Sequence, residues 1–376
     1  MAMPAMRSKL VFLRSNILNG KLFYMNTTSK LAILSLSLVL FGAGCSLGAK
    51  KVAPPTGGMF FSPDRGTSWQ QITVQYTSDG ILNWSTSDVL MTVVDPSDSN
   101  AIYAGTRENG LKYTYDSGKT WMSPKDVSAG AAQAVAVNPK DKCTIYVAKL
   151  PELWKSEDCN RTYKRIFTPE IGQDYFKAIL IDQSSPSTIY AITQGGSLFK
   201  SASGGVSWQS NHRFEDAVNS FVMDPFDSRI MLVGTAGSGI YRTVDAGVTW
   251  ESLREKTKDL VGGNQVKSIV SAKSTKGLYI AAIANGLIRS KDGGNTWEVV
   301  KTLVNPPQMN IISLAVDPKN AEAIYYGTEA VFYRTANGGT TWETIKLPTA
   351  RAAGTLLVHP DSNGAIYLGA KNLVVK

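Results

Sequence analysis

The chain has 376 residues, 43% hydrophobic and 18% charged, with 33 Gly, 16 Pro, 8 Trp and 3 Cys. That composition supplies ample material for a packed core and excludes intrinsic disorder and a small disulfide scaffold. The formal charge of +9 suggests a polyanionic partner, but residues 1–44 hold Arg7, Lys9, Arg14, Lys21 and Lys30 and no acidic residue, so the excess sits largely in the leader and no nucleic acid is expected as a partner.

Residues 31–44 are 14 uncharged, mostly apolar residues between Lys30 and Cys45. The run is short for a membrane span and reads as the apolar region of a signal peptide. Gly42-Ala43-Gly44-Cys45 resembles the lipobox of bacterial lipoproteins, with Gly42 where that family prefers Leu; the resemblance implies lipidation of the Cys45 thiol. Met25 opens a conventional leader, so it is the expected start. Residues 45–57 are small, basic and Pro-rich and suit a tether. The expected organisation is a leader over 1–44, a lipid-anchored tether over 45–57 and one domain over 58–376, exported and held on the extracytoplasmic side of a membrane.

One motif, Ser/Thr-x-Asp-x-Gly-x-Thr/Ser-Trp, then recurs seven times, starting at Ser62, Thr114, Ser156, Ser201, Thr243, Ser290 and Thr335. A period near 45 residues with Trp and turn residues at fixed places points to a propeller or array. Each period holds an apolar strand ending in Asp-Pro or a relative (Val94-Asp95-Pro96, Val316-Asp317-Pro318), then strands such as AIYAGT and GIYRT, then a fourth beginning at the Trp. Four short strands per period predict an all-β fold, a seven-bladed β-propeller of four-stranded antiparallel blades. Asp64, Asp116, Asp158, Asp245 and Asp292 are expected to accept hydrogen bonds from turn amides, with Gly supplying a positive φ. Ser203 and Asn337 replace the acid in two copies, and Asn160 replaces Gly in one. Trp69, Trp121, Trp208, Trp250, Trp297 and Trp342, with Tyr163, are expected to wedge against the neighbouring blade.

These residues resemble the Asp-box, or BNR, repeat over essentially all of residues 58–376. The resemblance implies the propeller but leaves function open, since the repeat occurs in sialidases, xyloglucan-degrading glycosidases, the sortilin receptors and the photosystem II stability and assembly factors. The last group is similar in scale, and its Tyr-Arg-Ser/Thr-x-Asp-x-Gly-x-Thr-Trp pattern shows here as Tyr241-Arg242-Thr243 and Tyr333-Arg334-Thr335. Xyloglucanases of this class use two tandem propellers, and this chain has repeats for one.

The last repeat stops before a motif and the chain opens on a motif lacking its first two strands, so both termini are expected to build the closing blade and hide its edges. Either residues 58–62 or residues 373–376 would supply its third strand. Cys143 and Cys159 lie eight residues to either side of Pro151, a spacing that lets them meet across a hairpin as a disulfide. His359 fills a turn slot held by Asp or Asn elsewhere, and His212 has no partner at ligand spacing, so no metal and no cofactor is expected. No catalytic residue is assigned. A glycosidase would need two facing carboxylates, for which Glu108, Glu170, Asp174, Glu215 and Asp216 are the loop candidates. The blade crossings vary more than the Asp-box turns and carry Trp84, Arg107, Arg165, Tyr175, Arg213, Arg254 and Arg351, a composition enriched at interfaces. The expectation is a monomeric, lipid-anchored module that binds another membrane or envelope protein through that face, with a carbohydrate-active hydrolase or sugar-binding propeller as the alternative.

Overall fold

The computed structural model describes residues 56–170, 172, 174–304, 310–362 and 364–373, which lie in the second of the two units into which the chain divides, Ala53–Lys376. The leader, Cys45 and nearly all of the expected tether fall outside the described residues.

Each repeat folds as a meander of antiparallel strands. Numbered by their first strands, blades 1 to 7 begin with Val89–Asp95, Ala132–Asn138, Phe176–Ile181, Val218–Met223, Val266–Ser271, Ser313–Val316 and Ala352–Val358. Each first strand touches the first strand of the next blade, and that of blade 7 touches that of blade 1, so the seven ring a central channel. The buried apolar side chains form seven clusters, each shared by two adjacent blades. Stability therefore rests on blade-to-blade interfaces, and an unclosed ring would leave one of them open to water.

Closure uses the N-terminal strand. Met59–Ser62 pairs with Ile366–Lys371, Phe60 opposite Leu368, and Gln70–Gln71 forms the outer edge. This settles the third strand in favour of the start of the domain, while Leu373 lies exposed beyond the last strand. Blade 1 departs from four full strands. Its outer edge is reduced to one bridge between Tyr113 and Met122, and the connection from blade 7, expected as a loop, carries the hairpin Val74–Thr77 and Gly80–Asn83 instead. Gln75 of that hairpin bridges Trp121 and accepts from the buried Lys112 ammonium at 3.1 Å, which docks the hairpin onto blade 1.

The Asp-box turns share one geometry. In the first copy the Ser62 hydroxyl accepts from Gly66 N at 2.7 Å and Asp64 accepts from Ser68 N and Ser68 Oγ at 2.8 and 2.7 Å. Two successive residues take positive φ, Arg65 at 60° and Gly66 at 91°, a requirement one residue wider than the Gly of the motif suggests. Hydrogen bonds, those from Ser68, Thr162 and Thr249 foremost, pull the carboxyls of Asp64, Asp158 and Asp245 down to about 2. Asp116 and Asp292 are lowered too, the hydrogen bonds outweighing a burial effect that pushes the other way.

The terminal aromatics pack on the preceding blade: Trp208 stacks on Phe167, Trp69 meets Phe332 edge-on, and the Trp342 indole donates to Lys301 O at 2.8 Å. A second tie runs the other way, from one blade to the next. Tyr146, Tyr190 and Tyr367, each from the Ile-Tyr pair of a second strand, donate to the next blade's Asp-box carbonyls at Gly204, Ala246 and Ser117 at 2.9–3.0 Å. Two residues further on, Gly105 and Gly327 leave space for the next blade's first strand, because a Cβ there would collide with Ala132 O and the Ala353 side chain. Cys143 and Cys159 are bonded as a disulfide across the second-to-third-strand hairpin of blade 2. His359 accepts from Asp361 N and Ser362 N at 3.1 Å, doing the work of the Asp in other turns.

Candidate binding face

At the end of the propeller away from the Asp-box turns, the first strands begin with β-bulges. In blades 1 to 5 and 7 the bulged residues are Leu90, Gln133, Lys177, Asn219, Lys267 and Gly354. A bulge re-aims one side chain out of the alternating pattern, and in blades 2 to 5 it sets Gln133, Lys177, Asn219 and Lys267 as a polar belt at the upper channel mouth. Asn219 donates to Val266 O at 2.8 Å, Gln194 to Asn219 at 3.5 Å, and Lys267 to Asn310 at 2.8 Å.

The charged part of the belt is built on Asp88, directly before the first strand of blade 1. Its buried carboxylate accepts from Arg351 at 2.8 Å, from Arg107 at 3.2 Å and from Asn372 N at 2.8 Å, and Arg351 also donates to Thr86 O at 2.9 Å. These contacts join blade 7 to blade 1. Lys371, at the end of the second strand of blade 7, is held below the usual lysine value by burial and by Arg107, with Asp88 opposing. Lys177 of blade 3 is lowered by burial and then by the charge of Lys371. Tyr175 is raised by burial and by Asp174, with Arg107 pulling the other way, and its hydroxyl donates to Gln194 at 3.2 Å. Arg107, Lys371, Lys177 and Tyr175 therefore share one electrostatic neighbourhood, and Arg351 joins it through Asp88. Four cations, Arg107, Arg351, Lys371 and Lys177, stand here against three carboxylates, Asp88, Asp174 and Glu108, the last 3.9 Å from Arg107, so the mouth keeps a cationic excess that favours an anionic visitor.

Of the seven side chains expected on this face, Arg107, Tyr175 and Arg351 are brought together. Trp84 is buried, packed edge-on against Trp121 at 5.1 Å, because the hairpin connection folds it into the blade 7 to blade 1 cluster. Arg165 and Arg213 sit on fourth strands, Lys164–Phe167 and Gln209–Arg213, rather than in loops. Arg165 pairs with Glu152 at 2.7 Å, and Arg213 donates to Ser197. Arg254 is exposed at the start of a short helix, Arg254–Thr257. Lys177 and Lys371 were not expected. For Lys177 the signal was a polar second residue in a mostly apolar first strand, FKAILI, as in VNSFVM and VKSIVS; Lys371 closes the second strand IYLGAK, which carries no such signal.

Two of the five carboxylate candidates serve as turn acceptors. Asp174 accepts from Tyr175 N at 2.8 Å and Gly195 N at 2.9 Å, and Asp216 accepts from Ala217 N at 2.7 Å. Glu108, Glu170 and Glu215 are exposed. Among the described residues no group of three His, Cys, Asp or Glu side chains is placed to hold a metal, and no helix is long and apolar enough to cross a membrane.

Known proteins share this fold. The family profile described as Photosynthesis system II assembly factor YCF48 matches residues 265–360. The chain is a seven-bladed Asp-box propeller. It is 24% identical over 327 residues to a xyloglucanase of a Paenibacillus species, an alignment covering 76% of this chain and 30% of that enzyme. It therefore spans under a third of the length of that curated relative. A GH74 enzyme from Niastella koreensis superposes with a TM-score of 0.63 at 16% identity, over 76% of this chain and 51% of that one. A structure of YCF48 bound to D1 peptide superposes with a TM-score of 0.59 at 15% identity, over 77% and 94%. YCF48 from Cyanidioschyzon merolae does so with a TM-score of 0.58 at 14% identity, over 76% and 95%.

Proposed function

We propose that this propeller is a protein-binding module that captures an anionic, carboxylate-bearing segment of another envelope protein at the upper channel mouth. The observation that carries this reading is that Lys177 and Lys371 lie within reach of each other's charge on a rim where Arg107 and Arg351 already hold Asp88. The profile match and the YCF48–D1 peptide structure support it, as does the near-complete coverage of YCF48 chains by this single propeller. The signal-peptide pattern and the lipobox-like Gly42–Cys45 support export and anchoring through a lipid on Cys45. Cys45→Ser should then abolish detergent-phase partitioning and labelled fatty-acid incorporation, and an aqueous wild type would refute the anchor.

The likeness to xyloglucanases favours a second reading, a glycan-binding or glycan-cleaving propeller. One experiment separates the two: affinity capture from detergent-solubilised membranes beside a glycan array and a xyloglucan-oligosaccharide hydrolysis assay. The binding reading expects one co-purifying protein, released by salt and lost with Lys177→Ala/Lys371→Ala. Hydrolysis abolished by Glu108→Gln or Asp216→Asn, with capture unaffected by the lysine pair, would replace it with the glycosidase reading.

A further inference from the structure

The opposite end of the channel, beside the Asp-box turns, is chemically unlike the upper mouth. Two adjoining cavities of about 260 and 280 Å³ open there. The first is walled by blade 1 and blades 4 to 7, the second by blades 1 to 3, and Val94 and Lys273 line both. The walls are the ends of the first strands, with Val222, Val270, Val316 and Val137 among them, and no acidic side chain lines either cavity. The lining side chains are mostly apolar, so an apolar occupant gains by covering them.

Lys273 is the exception in this wall. It occupies the turn slot that is Pro96, Pro139, Pro225, Pro318 and Pro360 in five blades and Gln183 in another. The backbone of its turn is unchanged: Ala272 N donates to Leu278 O as Asp224 N does to Ile230 O and Asp317 N to Ala323 O. The turn itself therefore does not require the lysine. Its side chain belongs to blade 5 yet reaches the cavity walled by blades 1 to 3, so it lies across the mouth. Among the described residues it has no hydrogen-bond or ion-pair partner, and the surrounding hydrocarbon holds its ammonium below the usual lysine value although it is open to the funnel. A cation so placed gains from an anion whose remainder is apolar.

We infer that this mouth binds an amphipathic monocarboxylate, a medium-chain fatty-acid anion, with its chain against Val94, Val222, Val270 and Val316 and its carboxylate on the Lys273 ammonium. The space, about that of eight or nine waters in the first cavity alone, admits a single acyl chain. The site lies at the far end of the channel from the protein-binding face and does not depend on it.

The test is calorimetric titration of the full chain carrying Cys45→Ser with decanoate, kept below micelle formation, and with hexanoate, decanol and acetyl-tetraleucine. Decanoate should bind one per chain, and shortening the chain should weaken binding by up to about fourfold per methylene. Decanol should bind at least about tenfold more weakly than decanoate, the difference one charge-assisted hydrogen bond makes. Lys273→Met should lose that advantage and Lys273→Arg keep it. Both variants should melt with the parent, since the side chain has no partner to lose. Absence of saturable decanoate binding, or equal binding by Lys273→Met with an unchanged melting temperature, overturns the inference. Tighter binding of acetyl-tetraleucine overturns it in favour of a peptide C-terminus.

Discussion

Arg351 looked like a free loop arginine, and its replacement by Ala would on that view leave the fold untouched. The structure predicts otherwise. Arg351 and Asp88 have side-chain exposures of 15% and 7% and meet at 2.8 Å across the junction of blades 7 and 1. A hydrogen bond to a charged group contributes about 1.5–3 kcal/mol, and removing one partner of a buried pair costs about 3–5 kcal/mol. Arg351→Ala leaves Asp88 with Arg107 and Asn372 N, so the expected loss is the smaller, about 2 kcal/mol. Asp88→Ala leaves Arg351 with Thr86 O alone and beside a second guanidinium, so about 3–4 kcal/mol is expected. At about 2.1 cal/mol/K per residue, a propeller of roughly 320 residues unfolds with about 0.7 kcal/mol/K, which converts these losses to about 3 °C and 5 °C in melting temperature. Scanning calorimetry of both single variants and the double completes the cycle, with a coupling of about 1–2 kcal/mol expected. Additivity within about 0.3 kcal/mol would show that the pair does not close the ring.

The inter-blade tyrosines give a second expectation: Tyr146→Phe, Tyr190→Phe and Tyr367→Phe should each cost about 0.5–1.5 kcal/mol in denaturant unfolding, while the exposed Tyr76→Phe costs nothing measurable. Equal, negligible effects in all four would remove the tie. Asp64, Asp158 and Asp245 have folded values near 2, below their ordinary 3.8, so their contribution is fully present above pH 3.8 and is lost as pH falls through 2. Carboxyl carbon NMR titrations should show midpoints near 2, and midpoints near 3.8 would contradict the turn geometry. Thiol titration of the denatured, non-reduced protein should find Cys143 and Cys159 blocked, and reactive thiols at both would dissolve the bridge.

The blades were legible because their signal is local and repeated. Seven Asp-box motifs in register mark the turn between the third and fourth strands, and the Asp-Pro runs mark where each first strand ends. His359 could be placed in a turn from its slot alone, and the structure puts its Nδ1 on two turn amides. The tyrosine ties were visible as Ile-Tyr pairs, but their role depends on a carbonyl more than fifty residues away in the next blade. The binding face was read less well. Crossings that looked like loops contain a hairpin, two fourth strands and a short helix, so arginines close in sequence to a loop end on strands or apart from the mouth.

Local hydrogen-bonding chemistry is therefore what the amino-acid sequence alone determined about this protein: strand, turn, positive φ and wedge, repeated until the count required a ring. Only the tertiary structure decided how that ring closes and what its ends offer. Met59–Ser62 takes the third place in the last blade, Asp88 gathers Arg107 and Arg351 across that seam, and Lys177 comes within reach of the charge of Lys371. Lys273 lies over the lower mouth, in contact with cavities walled by all seven blades. The physical reason is distance along the chain. The Arg351–Asp88 ion pair joins residues 263 positions apart, and the periodicity that identifies a blade carries no information about which side chains meet where the circle is joined.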